Sequence, residues 1–102
     1  MIQNKTNHKH IFKKIISILK NNRISRISIF GSYARGENNL ESDIDIMVKF
    51  SVKKSLLEIV RIERELYESI GIKVDLLTEK SISPYLIDKI RREEKVIYER
   101  KR

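Results

Sequence analysis

The chain has 102 residues, of which 40% are hydrophobic and 35% charged, with no cysteine and a net charge of +8. This length suits one domain over residues 1–102 with a single modest core. The lack of cysteine excludes disulfides and thiolate metal sites, and no apolar run approaches the ~18 residues of a membrane span. We expect a cytoplasmic protein, and the positive charge favours anionic partners such as nucleic acid, nucleotides or an acidic protein surface.

Four segments are predicted in the N-terminal half. Apolar residues at helical spacing predict a first helix over residues 9–21. The segment Ile27–Phe30 is typical of a short strand, and it leads into a turn and a short helix at Ser32–Arg35. Apolar residues alternate with polar ones in Asp43–Phe50, which predicts a strand buried on at least one face.

The C-terminal half contains stronger boundary signals. Ser55 followed by Glu58 matches a capping box, which predicts a helix that ends at Gly71. A third strand is expected at 73–77, a helix that begins at the Ser83–Pro84 pair, and a last short strand at 95–98. This order predicts an α/β fold, a small sheet flanked by helices, whose strands could be parallel or mixed. Three tyrosines are expected in the core or at its rim: Tyr67, Tyr85 and Tyr98.

Asp43 and Asp45 are the first candidate functional residues. They stand two positions apart on a predicted strand, so their carboxylates leave the same face about 6.6 Å apart at the backbone. Aspartate is depleted from strands and like charges on one face repel, which indicates that a cation offsets the cost. Mg²⁺ suits such a pair, because it binds one or two carboxylates and completes its shell with waters and phosphates. The alternative is a solvated strand end whose acids pair with Lys or Arg.

A second candidate feature is the Gly31–Ser32 turn between a strand and a short helix. Backbone N–H groups point out of such a turn and can bind a phosphate, and glycine permits its close approach. The Ser32 hydroxyl can add one hydrogen bond. Arg35 lies one turn further on, available for a phosphate or for an acid of the site. The alternative is an ordinary strand-to-helix turn.

Asp75 is the third candidate acid. It interrupts an otherwise apolar strand and therefore needs a partner, for which Lys73 on the same face is the simplest alternative. Three carboxylates on two adjacent strands, beside a phosphate-binding turn, would form a two-metal site for phosphoryl transfer.

The combination resembles a known family. Gly31-Ser32, ten further residues, Asp43-x-Asp45 and a later strand aspartate, Asp75, resemble the signature of the DNA polymerase β-like nucleotidyltransferase superfamily. The longer stretch GSYARGENNLESDIDI resembles the minimal nucleotidyltransferase branch, whose members are protein adenylyltransferases that act as MntA-type antitoxins to HEPN-domain ribonuclease toxins. The likeness covers most of the chain, because the segments VDLLT and EEKVIYE also fit that family's layout.

The resemblance implies the polymerase β-like fold with a small mixed sheet, two Mg²⁺ ions, ATP as donor and a tyrosine of a partner toxin as acceptor. Ser32 and the Gly31 backbone would hold the ATP phosphates. Asp43 and Asp45 would bind both metal ions, and Asp75 would complete the ion that activates the acceptor hydroxyl. AMP would move to the toxin, pyrophosphate would leave, and the toxin would be silenced.

Two other functions are consistent with the sequence. One is a non-catalytic antitoxin that neutralises its partner by covering it, although a pure binder has no need of three clustered carboxylates. The other is a nucleotidyltransferase that acts on RNA or on a small molecule. The basic charge is compatible with RNA, but the predicted elements leave little surface to position a flexible strand.

Overall fold

The computed structural model describes residues 7–100. The elements follow in the order α1 (Asn7–Lys20), β1 (Ile24–Phe30), α2 (Ser32–Arg35), β2 (Ile44–Phe50), α3 (Leu56–Ile70), β3 (Val74–Thr78), α4 (Pro84–Glu93) and β4 (Lys95–Glu99). A short 3₁₀ turn, Glu79–Ser81, links β3 to α4. Each predicted element is present, and the largest difference is that β1 begins at Ile24 rather than at Ile27.

The four strands form one sheet in the order β3-β2-β1-β4. Strand β1 runs antiparallel to both β2 and β4, whereas β2 and β3 are parallel. Parallel neighbours need a crossover connection, and α3 supplies it. The sheet is therefore mixed. The predicted α/β fold is confirmed, and so is the mixed sheet that the family resemblance implied.

The main core lies on the face of the sheet against which α1 and α3 pack. Successive side chains of a strand point to opposite faces, and the register places Ile29 opposite Ile46 and Ile27 opposite Val48. These side chains meet the apolar stripes of the two helices. The completely buried residues of this core are Ile15, Leu19, Ile27, Ile29, Ile44, Ile46 and Leu66.

The other face of the sheet is covered only in part. Ser28 and Met47 are buried there, opposite each other in the register, and α4 contributes the buried Ile90. Arg26 forms two hydrogen bonds with the Glu94 carboxylate just after α4, at 3.2 and 3.0 Å. Asp45 and Asp75 lie at one end of this face and remain partly exposed to solvent. The sheet thus offers one accessible polar region, which is where the candidate site lies.

The predicted helix ends are confirmed. Glu58 N–H donates to Ser55 Oγ at 3.2 Å, and Ser55 N–H donates to Glu58 Oε1 at 2.8 Å, which completes the capping box of α3. Gly71 ends α3 in the left-handed region at φ 76°. At α4, Tyr85 N–H donates to Ser83 Oγ at 3.2 Å, with Pro84 in the first helical position.

Two backbone N–H groups on the outer edge of strand β3 donate hydrogen bonds to side chains. Leu76 N–H donates to Glu63 Oε2 of α3 at 2.8 Å, and Thr78 N–H donates to Ser81 Oγ of the 3₁₀ turn at 3.2 Å. Unpaired edge groups invite pairing with another chain, and acceptors placed this way oppose it.

Tyr85 corrects one prediction. It is 93% exposed rather than part of the core or its rim, because the buried side of α4 is occupied by Ile90. The prediction is wrong for Tyr67 as well, which is 54% exposed, whereas Tyr98 packs against the main core as expected. Among residues 7–100, no helix combines the length and the apolar character needed to cross a bilayer.

Candidate active site

Asp45 and Asp75 form the centre of the candidate site. They occupy directly paired positions of the parallel strands β2 and β3, so their side chains leave the same face of the sheet from strands about 4.8 Å apart. Asp43 lies just before β2, which begins at Ile44. All three aspartates are partly buried. The fold therefore brings together carboxylates that are 30 residues apart in the chain.

The electrostatics of Asp45 reflect this crowding. Burial raises the pKa of the Asp45 carboxyl, and the charges of Asp75 and Asp43 raise it further, while Arg35 opposes the shift. Within residues 7–100, the ion pairs of the molecule involve none of the three aspartates, and Lys73 does not pair with Asp75. The simple explanation that lysine balances Asp75 therefore fails, and the negative charge remains available to a cation.

Gly31 lies directly against the Asp45 carboxylate. Its backbone has φ 75° and ψ −153°, a conformation that is essentially restricted to glycine. A Cβ added at this position would overlap Asp45 Oδ2. The Gly31 carbonyl accepts hydrogen bonds from the N–H groups of Ala34 and Arg35, each at 3.1 Å, which closes the turn into α2. The N–H groups of Ser32 and Tyr33 precede these bonds and have no partner within the helix.

Arg35 is bound by two acids. Its Nε donates to Glu37 Oε1 at 2.9 Å, and its Nη1 donates to Glu93 Oε1 at 3.1 Å. The Arg35 side chain is 41% exposed, so a phosphate could still approach it. Glu93 is at the end of α4, 58 residues away in the chain, and no local pattern indicates this pairing. Sequence reasoning therefore missed Glu93.

Tyr33 connects the turn to α1. It is 7% exposed, and its ring centroid lies 5.1 Å from that of His8 in α1. Burial raises the pKa of Tyr33, Asn38 lowers it by a hydrogen bond, and the charge of Asp43 raises it again. Asp43 is therefore close to the α2 turn as well as to Asp45.

The chemistry of these donors fits a hard divalent cation. Carboxylate oxygens are the ligands that Mg²⁺ prefers, and a cation between Asp45 and Asp75 would offset the repulsion that raises the pKa of Asp45. In the part of the chain that the structure describes, no three His, Cys, Asp or Glu side chains are arranged to hold a metal ion. Asp45 and Asp75 are in register, whereas Asp43 would have to turn towards them to complete a three-carboxylate site.

The fold and this site define a class of protein with known members. A family model described as polymerase beta, nucleotidyltransferase, matches residues 13–102. The chain belongs to this family of nucleotidyltransferases.

Two relatives place it more closely within the family. A candidate protein adenylyltransferase of Methanocaldococcus jannaschii is 52% identical over 84 residues, which cover 82% of this chain and 90% of that protein. Protein adenylyltransferase MntA of Thermococcus cleftensis is 37% identical over 75 residues, 74% of this chain and 74% of that protein.

Two solved structures share the fold. The crystal structure of a toxin–antitoxin with AMP-PNP matches with a TM-score of 0.79 and 27% identity, over 87% of this chain and 73% of that one. The rebuilt structure of a tri-AMPylated Shewanella oneidensis HEPN toxin in complex with an MNT antitoxin matches with a TM-score of 0.74, over 90% of this chain and 72% of that one. At 24% identity, the second likeness concerns the fold alone.

Proposed function

We propose that this chain is an antitoxin that transfers AMP from ATP to a tyrosine of a cognate HEPN-domain toxin and so silences it. The observation that carries the proposal is the paired placement of Asp45 and Asp75 beside the Gly31 turn. This arrangement sets a cation-binding pair of carboxylates next to backbone N–H groups that suit a phosphate. The names of the relatives support protein adenylylation, and the toxin–antitoxin neighbour with AMP-PNP supports an adenine nucleotide.

In this proposal each side chain has a defined task. The Gly31 backbone and Ser32 hold the ATP phosphates, Arg35 neutralises part of their charge, and Asp43 joins Asp45 and Asp75 in holding two Mg²⁺ ions. The bound ions supply charge neutralisation of the phosphates and a lower pKa for the acceptor hydroxyl. Asp75 lies on the edge strand β3, where an incoming tyrosine can reach it. There the Asp75 carboxylate can accept the proton of the tyrosine hydroxyl.

The reaction is a displacement at the α-phosphorus of ATP. The tyrosine oxygen forms the new bond to that phosphorus, the bond from the α-phosphorus to the bridging oxygen breaks, and pyrophosphate leaves with the electron pair. The tyrosine proton passes to Asp75 or to water. Atoms and charge balance without any further reagent.

Transfer of label from ATP tests the proposal. The chain is incubated with α-labelled ATP, Mg²⁺ and the product of the reading frame beside its gene, which the proposal expects to be the HEPN-domain protein, with bulk RNA in a parallel reaction. We expect label in the HEPN protein, and a loss of about a hundredfold or more in Asp75→Asn, because a positioned base contributes that much to proton removal. Asp88→Asn, on the exposed side of α4, is the matched control and should transfer normally.

Three results would contradict the proposal. Label that enters RNA and never the protein would indicate an RNA nucleotidyltransferase. Silencing of the toxin without any label, unchanged in Asp75→Asn, would indicate a binding antitoxin. Normal transfer by Asp75→Asn would remove Asp75 from the site.

A further inference from the structure

The net positive charge of the chain comes from its N-terminal third. The first 36 residues contain eight Lys and Arg residues and no Asp or Glu, which equals the whole net charge of +8. Residues 37–102 contain 14 basic and 14 acidic residues and are neutral as a group. Such asymmetry indicates a surface that attracts an anionic partner.

Part of this charge borders a groove between α1, α2 and β4, here called the α1–β4 groove. The groove encloses about 850 Å³. Its residues include Lys9 and Lys13 of α1 and Lys95 of β4, together with apolar Ile16 and Ile97. No acidic residue lines it, and among residues 7–100 these three lysines form no ion pair.

The groove is adjacent to the candidate active site. The segment 33–36, which is the last three residues of α2 and its C-cap, forms one wall of the groove, and Gly31 at the other end of α2 touches Asp45. A helix of four residues is about 6 Å long, so a molecule seated in the groove lies roughly one helical turn from the carboxylates. Whatever occupies the groove is therefore close enough to position an acceptor.

The lining favours a protein segment over a nucleic acid strand. Single strands bind by stacking bases on accessible aromatic faces, but Phe12 and Tyr33 are only 9% and 7% exposed, and the partly buried ring of His8 packs against both of them. The groove instead combines an apolar floor with a lysine rim. Apolar side chains can fill such a floor while carboxylates meet the lysines, which is the pattern of protein interfaces with a charged rim.

We propose that the α1–β4 groove is a docking surface for the partner protein that carries the acceptor. The segment of that partner which binds in the groove is acidic and also has apolar side chains that anchor it. The inference rests on the proposed function for the identity of that partner. It adds which surface binds the partner and what chemistry the bound segment has. Lys9, Lys13 and Lys95 would pair with its carboxylates, and Ile16 and Ile97 would contact its apolar side chains.

A charge-reversal pair with a matched control tests this surface. Lys9→Glu/Lys13→Glu changes two exposed lysines at the groove. Lys53→Glu/Lys80→Glu changes two exposed lysines of a second basic pocket, at the far ends of β2 and β3. Both variants change the net charge equally, and circular dichroism checks that both are folded. Lys9→Gln/Lys13→Gln serves as a second, neutral variant in case charge reversal disturbs α1.

Affinity is measured for the neighbouring HEPN-domain protein with its acceptor tyrosine replaced by phenylalanine, for ATP with Mg²⁺, and for a labelled RNA oligomer. We expect the groove variant to bind the protein about ten- to a hundredfold more weakly than wild type at low salt. The control should stay within about twofold of wild type, and both should bind ATP normally.

Each other result overturns the inference. Equal weakening in both variants would show a general charge effect, and normal affinity in the groove variant would place the partner elsewhere while leaving the proposed function intact. RNA binding that is lost in the groove variant, without any change in protein affinity, would assign the groove to nucleic acid. A wild-type chain that binds ATP but not the HEPN protein would contradict both the inference and the proposed partner.

Discussion

A single carboxylate oxygen, Oδ2 of Asp45, occupies the space that a side chain at position 31 would need. Gly31 also has a positive φ that other residues adopt only with strain. The phosphate turn and the metal-binding carboxylate of the proposed site are thus in direct contact, so a change in either residue alters the other.

Gly31→Ala tests this contact. We expect a loss of about 1–3 kcal/mol in the free energy of unfolding from backbone strain, and a further loss of ATP binding because Asp45 must move. Gly36→Ala is the matched control: its φ of 73° is similar, but an added Cβ would meet nothing within 4 Å. Urea unfolding and calorimetric ATP titration measure the two effects. Equal ATP affinity in the two variants would contradict the assignment of the turn.

Asp45→Asn tests the electrostatics of the carboxylates. The raised pKa means that the folded protein keeps the Asp45 proton to higher pH than the unfolded chain does. Without metal, ionisation of Asp45 therefore costs stability as the pH rises from the ordinary pKa of an unfolded aspartate through the raised folded pKa. We expect Asp45→Asn to be at least as stable as wild type at neutral pH with chelator present, and its advantage to disappear in acid.

Mg²⁺ should reverse this order. A cation bound between the carboxylates stabilises the wild-type protein, whereas Asp45→Asn lacks one of its ligands. Thermal unfolding with chelator and with Mg²⁺, across this pH range, measures both effects. An equal response of both proteins to Mg²⁺ would show that Asp45 does not bind the ion.

At the scale of the elements, Arg26 joins β1 to the end of α4. Its side chain is 19% exposed and that of Glu94 is 9% exposed. Burial alone would raise the pKa of Glu94, but hydrogen bonds from Arg26 and Ser28 and the nearby positive charges lower it overall. This ion pair stabilises the folded state above the unfolded pKa of Glu94, and that contribution is lost as the pH falls through the folded pKa.

Arg26→Met should therefore destabilise the protein by about 2–3 kcal/mol, less than at a fully buried pair because Arg26 keeps some contact with water. The loss arises mainly because Glu94 is left buried without its partner. Arg26→Met/Glu94→Leu should recover most of it, since two apolar residues need no partner. Urea unfolding measures both variants, and a double variant as unstable as the single one would contradict this account.

Local signals in the sequence predicted the elements well, because each signal acts within a few residues. The capping box at Ser55, the end of α3 at Gly71 and the start of α4 at Ser83 are all confirmed. The mixed sheet followed from the family resemblance and not from periodicity, since alternation of side chains does not reveal the direction of a neighbouring strand.

Contacts between residues far apart in the chain could not be predicted from these local signals. Arg26 and Glu94 are 68 residues apart, and their pairing depends on where α4 ends relative to β1. The same holds for Arg35 with Glu93 and for Gly31 with Asp45. For the candidate site, the residue types were predictable from the sequence. Asp43, however, lies just before β2 and not on it, and the direct pairing of Asp45 with Asp75 needed the sheet register.

At the scale of the whole molecule, opposite charges are separated. Four of the eight basic residues among the first 36 lie on α1, while the carboxylates of the site, with Arg35 near Asp45, lie on the other face of the sheet from the main core. An approaching acidic partner is therefore attracted to one side of the molecule and repelled from the aspartates until a cation neutralises them.

This separation predicts how association depends on salt. The association rate with the proposed HEPN-domain partner should fall steeply as ionic strength rises, because screening removes long-range attraction, while dissociation should change little. Mg²⁺ at constant ionic strength should increase the association rate. Stopped-flow mixing measures both rates, and an association rate that is insensitive to salt would contradict the role of net charge.

The side chains that cover the outer donors of β3 limit how copies of this chain can assemble. Growth of a fibre by strand addition needs two open edges, one on each side of the sheet. Glu63 and Ser81 close the β3 edge, which leaves β4 as the other edge. Two copies could join through β4 around a two-fold axis, but the resulting sheet would present a closed β3 edge at both ends. The covered donors of β3 therefore oppose continuation of such a pair into a filament.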